Sequence, residues 1–268
     1  MIGTDTPLLT TPDKAELYRT GLEMLNRSGV PYLVGGTYAF QYYAGISRTT
    51  KDFDIFVRPR DLQRILDVLT RAGFKTEIAF SHWLAKAHHG DKFMDVIYSS
   101  GNGVAEVDDE WFAHAVDEAV LGAPVKLCPP EEMIWSKAMI MERERYDGAD
   151  VAHLLRHCSG LLNWDRLVRR FGNNWRILLT HLVLFGFIYP GERALIPSSL
   201  MKDLVNRLLA DLEVPTRDSK VCQGTLLSRA QFLVDVDEWG YEDARATPRG
   251  TMTPAQIEEW TAAIDKSH

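Results

Sequence analysis

The chain has 268 residues, of which 46% are hydrophobic and 25% are charged, and its formal net charge is −7. These values are typical of a soluble globular protein with one large domain or two of medium size. A chain this acidic has no broad electrostatic attraction to nucleic acid, so DNA is not expected as a partner.

The sequence predicts a cytoplasmic protein without membrane contact. Its three cysteines are scattered and form no C-x-x-C pair, which argues against a zinc site and a disulfide framework. Residues 1–14 lack the basic and apolar segments of a signal peptide. The most apolar stretch, residues 177–189, is too short to cross a bilayer and predicts a buried helix.

Residues 1–128 predict a mixed α/β domain. Thr11 and Pro12 mark the start of a helix, and Ser28 and Gly29 mark its end. Apolar runs separated by turn residues then predict further strands and helices. The predicted strands cover residues 32–34, 52–57, 82–89 and 92–99, and the predicted helices between them cover residues 38–43 and 61–72.

Residues 129–268 predict a second, mostly helical domain with an irregular C-terminal segment after about residue 213. On the helix predicted over residues 163–171, three arginines predict a solvated basic face or, alternatively, a surface that holds a phosphate backbone. They are Arg166, Arg169 and Arg170. The predicted helices cover residues 131–145, 149–157, 163–171, 173–188 and 199–211.

A glycine-rich turn stands between the first predicted strand and the helix that follows it. Gly35 and Gly36 occupy this turn, and Thr37 comes directly after them. Glycines there let backbone N–H groups approach a phosphate closely, and the N-terminus of a helix favours negative charge. The alternative interpretation is a plain tight turn.

Three aspartates lie on the predicted strands that follow. Asp52 and Asp54 are two residues apart, so their side chains share one face of a strand. Asp95 interrupts an apolar run, where a carboxylate is costly without a partner. Converging carboxylates suit Mg²⁺, which takes oxygen ligands. The alternatives are a solvated acidic strand face and a structural ion pair of Asp95 with Lys92 or Arg48.

The order of these parts resembles the nucleotidyltransferase superfamily. The stretch "GGTYAFQYYAGISRTTKDFDIFV", residues 35–57, is particularly similar to the stand-alone bacterial branch that includes the abortive-infection type IV toxins. This resemblance implies a nucleotidyltransferase-like mixed sheet in which the glycine motif holds the nucleotide and the aspartates bind Mg²⁺. The matching positions are Gly35, Gly36 and Thr37 for nucleotide binding, and Asp52, Asp54 and Asp95 for catalysis and metal binding.

The toxin branch also carries a lysine and an arginine on a helix, followed by an aspartate. Lys137 matches the lysine, Arg143 or Arg145 the arginine, and Asp147 or Asp150 the aspartate. The neighbours of this lysine at helical spacing are apolar. Its ammonium therefore either extends to solvent or reaches an anionic group at the domain junction, where we expect it to neutralise the phosphates.

Together these features predict an enzyme that transfers a nucleoside monophosphate from an NTP to a hydroxyl group. Mg²⁺ would be its cofactor, and the active site would lie between the two domains. The acceptor stays open among an RNA such as tRNA, a protein side chain and a small molecule, and the branch resemblance implies a toxin–antitoxin role. One alternative is a non-catalytic nucleotide-binding or interaction module that keeps the fold. Another is an unrelated α/β protein in which the motif match is accidental.

Overall fold

The computed structural model of the protein describes residues 10–215 and 220–263. Contacts within the chain divide it into two compact units. In the described residues, the first unit comprises residues 10–101 and 106–129, and the second comprises residues 102–105, 130–215 and 220–263. The assignment of residues 1–128 and 129–268 to two separate domains stays a prediction.

The first unit, in its described residues, is a seven-stranded mixed sheet with helices. The elements in chain order are α1 (Pro12–Ser28), β1 (Leu33–Val34), α2 (Gly36–Ala44), β2 (Phe53–Phe56), α3 (Leu62–Arg71), β3 (Lys75–Phe80), β4 (Leu84–His89), β5 (Lys92–Ile97), α4 (Asp109–Ala113), β6 (Val116–Val120) and β7 (Ala123–Leu127). The strands lie in the order β3-β4-β5-β2-β1-β7-β6, which confirms the predicted mixed α/β class.

The centre of the sheet carries the predicted motifs. Strand β2 is parallel to β5 on one side and antiparallel to β1 on the other, and β1 is parallel to β7. Apolar side chains of the central strands are fully buried and form the core, among them Leu33, Val34, Phe53 and Ile55. Strands buried in this way read as apolar runs in the sequence, which explains why β1, β2 and β5 were predictable.

Three strands, β3, β6 and β7, were not predicted. The edge strand β3 is largely exposed, and β6 contains Asp117 and Glu118. Strand β7 alternates buried and exposed residues, but Pro124 within it weakens the pattern. Pairing with a neighbouring strand stabilises each of them, and that pairing is not visible in local sequence.

The second unit is mostly helical in its described residues. Its elements are α5 (Pro130–Ala138), α6 (Gly148–Cys158), α7 (Trp164–Phe171), α8 (Trp175–Ile188), α9 (Ser198–Leu212), β8 (Val221–Cys222), α10 (Leu233–Asp237), β9 (Glu242–Asp243) and α11 (Pro254–Ala262). The helix predicted over residues 131–145 is too long, because α5 ends at Ala138. After that residue, Met141 forms a bridge with Tyr146 and donates its N–H to the carbonyl of Leu227.

The apolar stretch at residues 177–189 is helical but only partly buried. Leu178 and Phe185 of α8 are inaccessible, whereas Val183 and Phe187 are 55% and 83% exposed. The prediction of a wholly buried helix was therefore wrong for one face of α8. The described ranges contain no helix with the length and apolar character that a bilayer span requires.

Candidate active site

Three aspartate side chains converge in the first unit. Asp54 on β2 is paired in register with Asp95 on β5, and Asp52 directly precedes β2. One carboxylate oxygen from each lies within 4.8 Å of the others, and all three residues are partly exposed. We call Asp52, Asp54 and Asp95 the carboxylate cluster. Their partial exposure leaves them open to solutes.

Strand geometry explains how the cluster forms. Side chains alternate along a strand, so Phe53 and Ile55 point into the core while Asp52 and Asp54 share the opposite face. The Thr50 hydroxyl is 2.6 Å from an Asp52 carboxylate oxygen and donates to it, which orients that carboxylate. The alternation of side chains at β2 thus places the carboxylates of Asp52 and Asp54 on one face of the sheet. The pairing of β2 with β5 adds the carboxylate of Asp95.

The Gly-Gly turn brings the start of α2 against the cluster. Gly36 has a φ of +52°, and a Cβ atom on it would lie 1.8 Å from Asp54 Oδ2. The N–H of Gly35 donates to the Asp54 carbonyl over 3.1 Å, and a Cβ on this residue would lie 2.3 Å from the Phe56 ring. Both glycines are therefore needed for this close approach.

The start of α2 lies beside the carboxylates. The helix begins at Gly36, directly after Gly35, which has no side chain to cap it, and the partly exposed Thr37 lies in its first turn. The first N–H groups of a helix lack intrahelical acceptors and favour negative charge. The turn places these donors next to Asp54, and its role in nucleotide binding stays a prediction.

Asp95 has a charged partner, Lys86 on β4. The Lys86 ammonium donates to Asp95 Oδ1 over 2.6 Å. Burial raises the pKa of Asp95; the Lys86 contact opposes this shift, and the charge of Asp52 adds to it. The sequence offered a structural ion pair of Asp95 with Lys92 or Arg48 as an alternative, and the structure pairs Asp95 with Lys86. This lysine was not singled out in the sequence, although it is a charge between two buried alanines.

A tyrosine that sequence reasoning missed also lies near the cluster. Tyr18 of α1 is fully buried, and its hydroxyl donates to the Lys51 carbonyl over 3.4 Å. Burial raises its pKa to about 12, and the charges of the carboxylate cluster act in the same direction. The available signal was a polar side chain on the apolar face of the first helix.

The donor set of the cluster fits a hard divalent cation. Three carboxylate oxygens from different residues lie within 4.8 Å of one another, and oxygen ligands of this type are the ones Mg²⁺ prefers. Three neighbouring aspartates concentrate negative charge, and the Lys86 contact offsets a part of it. A divalent cation held by Asp52, Asp54 and Asp95 would compensate the remainder.

Lys137 lies on α5 in the second unit and is paired with acids there. Its ammonium is 2.9 Å from Asp150 Oδ2 and 3.1 Å from Asp147 Oδ2, and Arg145 also contacts Asp147. Burial raises the pKa of Asp147, but the contacts with Arg145 and Lys137 outweigh it and leave the pKa lowered. The role of Lys137 as a phosphate ligand stays a prediction.

The arginines of α7 correct another expectation. Arg166 is only 2% exposed and contacts Glu131 and Glu132 of α5, and Arg170 lies 2.8 Å from Glu132. The predicted solvated face holds for Arg169 but was wrong for Arg166, because the acids of α5 neutralise it inside the unit. We call Glu131, Glu132, Arg166 and Arg170 the buried ion network.

Comparison with solved structures gives distant likenesses. The antibiotic-resistance factor ANT(2'')-Ia aligns over 63% of this chain and 96% of its own, at 17% identity and a TM-score of 0.45. The lincosamide antibiotic adenylyltransferase LnuA aligns over 54% and 96%, at 15% identity and a TM-score of 0.38. JHP933 from Helicobacter pylori aligns over 75% and 97%, at 14% identity and a TM-score of 0.38. At these values the likenesses carry no argument about activity.

Comparison with sequence families is decisive. A search of curated proteins gives no match. Residues 18–183, more than half of the chain, match the model of a family described as uncharacterised nucleotidyltransferase. The matched range includes the Gly-Gly turn and all three aspartates of the carboxylate cluster. The chain therefore belongs to this nucleotidyltransferase family.

Proposed function

We propose that the chain transfers a nucleoside monophosphate from an NTP to a hydroxyl acceptor and uses Mg²⁺ at the carboxylate cluster. The observation that supports this most directly is the convergence of Asp52, Asp54 and Asp95 beside the start of α2. When bound, Mg²⁺ would neutralise charge on the triphosphate and so favour attack at phosphorus.

The aspartates would divide the work between them. Asp52 and Asp54 would hold the metal, and Asp95 would complete the ligand set or accept a proton from the attacking hydroxyl. In that reaction the hydroxyl oxygen bonds to the α-phosphorus, pyrophosphate leaves, and the hydroxyl proton passes to the carboxylate.

The Gly-Gly turn would hold the phosphates. The backbone N–H groups at the start of α2 would donate to phosphate oxygens, and the Thr37 hydroxyl would add a donor. Gly35 fixes this turn through its hydrogen bond to Asp54. These groups would bind the triphosphate before and during the reaction.

Lys137 would add positive charge toward the phosphates, and to do so it must exchange Asp147 and Asp150 for phosphate oxygens. Lys137→Met should then weaken NTP binding at least tenfold in a chain that still folds, although the loss of this partner of Asp147 and Asp150 lowers its stability. Unfolding of this variant would instead assign the lysine to its ion pairs with the two aspartates. Equilibrium NTP binding and a melting curve of the same sample would distinguish these outcomes.

The acceptor class and the cellular role are the finer part of the proposal. The acceptor would be an RNA such as tRNA, a protein side chain or a small molecule, and the similarity of residues 35–57 to the toxin branch supports a toxin-type role. Incubation with labelled NTPs and a cell extract would show which fraction becomes labelled. Growth arrest on expression of the wild type, absent with Asp54→Asn, would support the toxin role.

A thermal-shift screen of NTPs with and without Mg²⁺ tests the core of the proposal. A nucleotide at 100 times its Kd should stabilise the wild type by about 2.7 kcal/mol, and only when Mg²⁺ is present. Asp52→Asn should abolish this response. Asp117→Asn, at an exposed position on β6, is the matched control and should retain it.

The results also separate the alternatives. Stabilisation by Mg²⁺ and NTP without labelling of any acceptor would favour the non-catalytic nucleotide-binding module. No metal-dependent stabilisation by any NTP would contradict the proposed function.

A further inference from the structure

A lysine lies in line with the carboxylate cluster across three neighbouring strands. Lys86 on β4 is paired in register with Asp95 on β5, which is paired in register with Asp54 on β2. Side chains of directly paired residues lie on the same face of a sheet. The lysine therefore shares the face of the aspartates, and this follows from the backbone pairing alone.

Lys86 contacts the carboxylate cluster even though it is also directly paired with a second acid, Glu77, on the neighbouring strand. Lys86 is paired with Glu77 on β3 as well as with Asp95 on β5. Its ammonium is 2.6 Å from Asp95 Oδ1, whereas Glu77 contacts His88 at 3.0 Å. The ammonium also lies 4.3 Å from the centre of the Phe93 ring, which favours the same position through a cation–π interaction.

This contact is shielded from solvent and takes up one oxygen of a proposed metal ligand. The side chains of Lys86 and Asp95 are only 25% and 13% exposed, so water screens their attraction weakly. One oxygen of Asp95 accepts from the ammonium, and one carboxylate oxygen of Asp95 takes part in the convergence with Asp52 and Asp54. Lysine and metal would therefore share this carboxylate.

We propose that Lys86 is a positioning residue that acts as an internal cation of the carboxylate cluster. It orients Asp95 and offsets part of the repulsion among the three aspartates, and by its positive charge it weakens the binding of divalent metal. This inference rests on the proposed function, since it requires that the cluster bind a metal ion. A lysine with a purely structural role would have no such effect on metal affinity.

The test measures the affinity of the nucleotide-free, 268-residue chain for Mn²⁺, with electron paramagnetic resonance as the readout. The measurement is made at pH 8, where protons compete little for the carboxylates. Lys86→Met keeps the apolar stem over Phe93 and removes the charge, so it should bind Mn²⁺ at least tenfold more tightly than the wild type. Lys86→Arg keeps the charge and should stay within about threefold of the wild type. Lys92→Met removes a charge from the opposite face of β5 and should stay within about twofold.

Each outcome bears on the inference. If the wild type binds Mn²⁺ and Lys86→Met binds it equally or more weakly, the inference about Lys86 is overturned, whereas the metal site itself is retained. Tightening by Lys86→Arg equal to that by Lys86→Met would also overturn it, because charge would not be the cause. No Mn²⁺ binding to any of the proteins would overturn the proposed function and this inference together. If Lys86→Met does not fold, Lys86→Gln, which keeps a hydrogen-bond donor, should show the same tightening.

Discussion

The carboxylate cluster and the buried ion network both bring acids into contact with cationic side chains, but they differ in charge balance and access. The cluster gathers three aspartates around a contact with Lys86, and its members are partly exposed. The network pairs two glutamates with two arginines, and Glu132 and Arg166 are almost inaccessible. An excess of reachable acids suits ligand binding, whereas balanced and closed charge suits a scaffold.

The pKa values by themselves do not separate these two regions. Burial raises the pKa of Asp95 in the cluster, and it also raises that of Glu132 in the network against the opposing effect of Arg166 and Arg170. A pKa that burial raises marks an acid in a low-dielectric environment, whatever the use of that acid. The number and sign of the charges around the acid, and its accessibility, distinguish a candidate site from a structural network.

The largest expected effect comes from removing one carboxylate of the cluster. Asp54→Asn should reduce nucleotidyl transfer at least about a thousandfold, because a metal ligand is lost. It should also leave the metal-free protein as stable as the wild type or slightly more stable, because repulsion among the carboxylates is relieved. Paired melting curves with and without Mg²⁺ and NTP, together with a transfer assay, measure both effects.

A large loss of stability in metal-free Asp54→Asn, with the nucleotide response retained, would contradict this expectation. The cluster would then resemble the buried ion network, and Asp54 would be a structural residue.

The second largest effect comes from removing one arginine of the buried ion network. Arg166→Met should lower the free energy of unfolding by roughly 3–5 kcal/mol, because it leaves Glu131 and Glu132 without this buried partner. The remaining folded protein should keep its transfer activity. Urea unfolding checks the change, with the exposed Arg169→Met as control, expected within about 0.5 kcal/mol of the wild type. Equal stability of Arg166→Met and the wild type would remove the contrast between the two regions.

A third, smaller effect separates backbone strain from the geometry of the cluster. Gly36→Ala should cost about 1–3 kcal/mol through its positive φ and, in addition, displace the Asp54 carboxylate and abolish Mn²⁺ binding. Gly45 is a matched control, because its φ is +67° and, among the described residues, no neighbouring heavy atom lies within 4 Å of the place that a Cβ would take. Gly45→Ala should therefore cost similar stability and leave Mn²⁺ binding unchanged. Mn²⁺ binding retained in Gly36→Ala would show that the close approach is not required.

The smallest effect concerns a third group of charged residues, Lys137, Arg145, Asp147 and Asp150. Its positive and negative charges balance, and Arg145 is exposed. The lowered pKa of Asp147 means that its carboxylate stabilises the fold above the unfolded-state pKa, near the ordinary value of 3.8. That contribution is lost as the pH falls through the lower folded-state pKa. Asp147→Asn should thus cost about 1 kcal/mol at pH 7, and the difference from the wild type should shrink below pH 3.8. Urea unfolding at several pH values checks this, and a difference independent of pH would contradict it.

Sequence reasoning reached the parts of the candidate site that depend on short spacing. The positions of Asp52 and Asp54 on one strand face follow from the two-residue period of a strand, and the Gly35-Gly36 turn follows from the conformational freedom of glycine. It missed Lys86 and Tyr18, since each contributes to the site through neighbours that are distant in the sequence. It also misjudged Arg166, because a basic residue on a helix looks the same whether water or Glu131 faces it.

The sequence by itself determined the central strands β1, β2, β4 and β5 with the helices α1, α2 and α3, the helical character of the second unit, and the nucleotidyltransferase motif between residues 35 and 57. These features are local, because each depends on side-chain periodicity or on backbone freedom within a few residues. Only the tertiary structure decided that Asp95 lies beside Asp54 and that Lys86 lies on its other side. The register between strands sets both contacts, and a shift of one residue would move every side chain of a strand to the opposite face of the sheet.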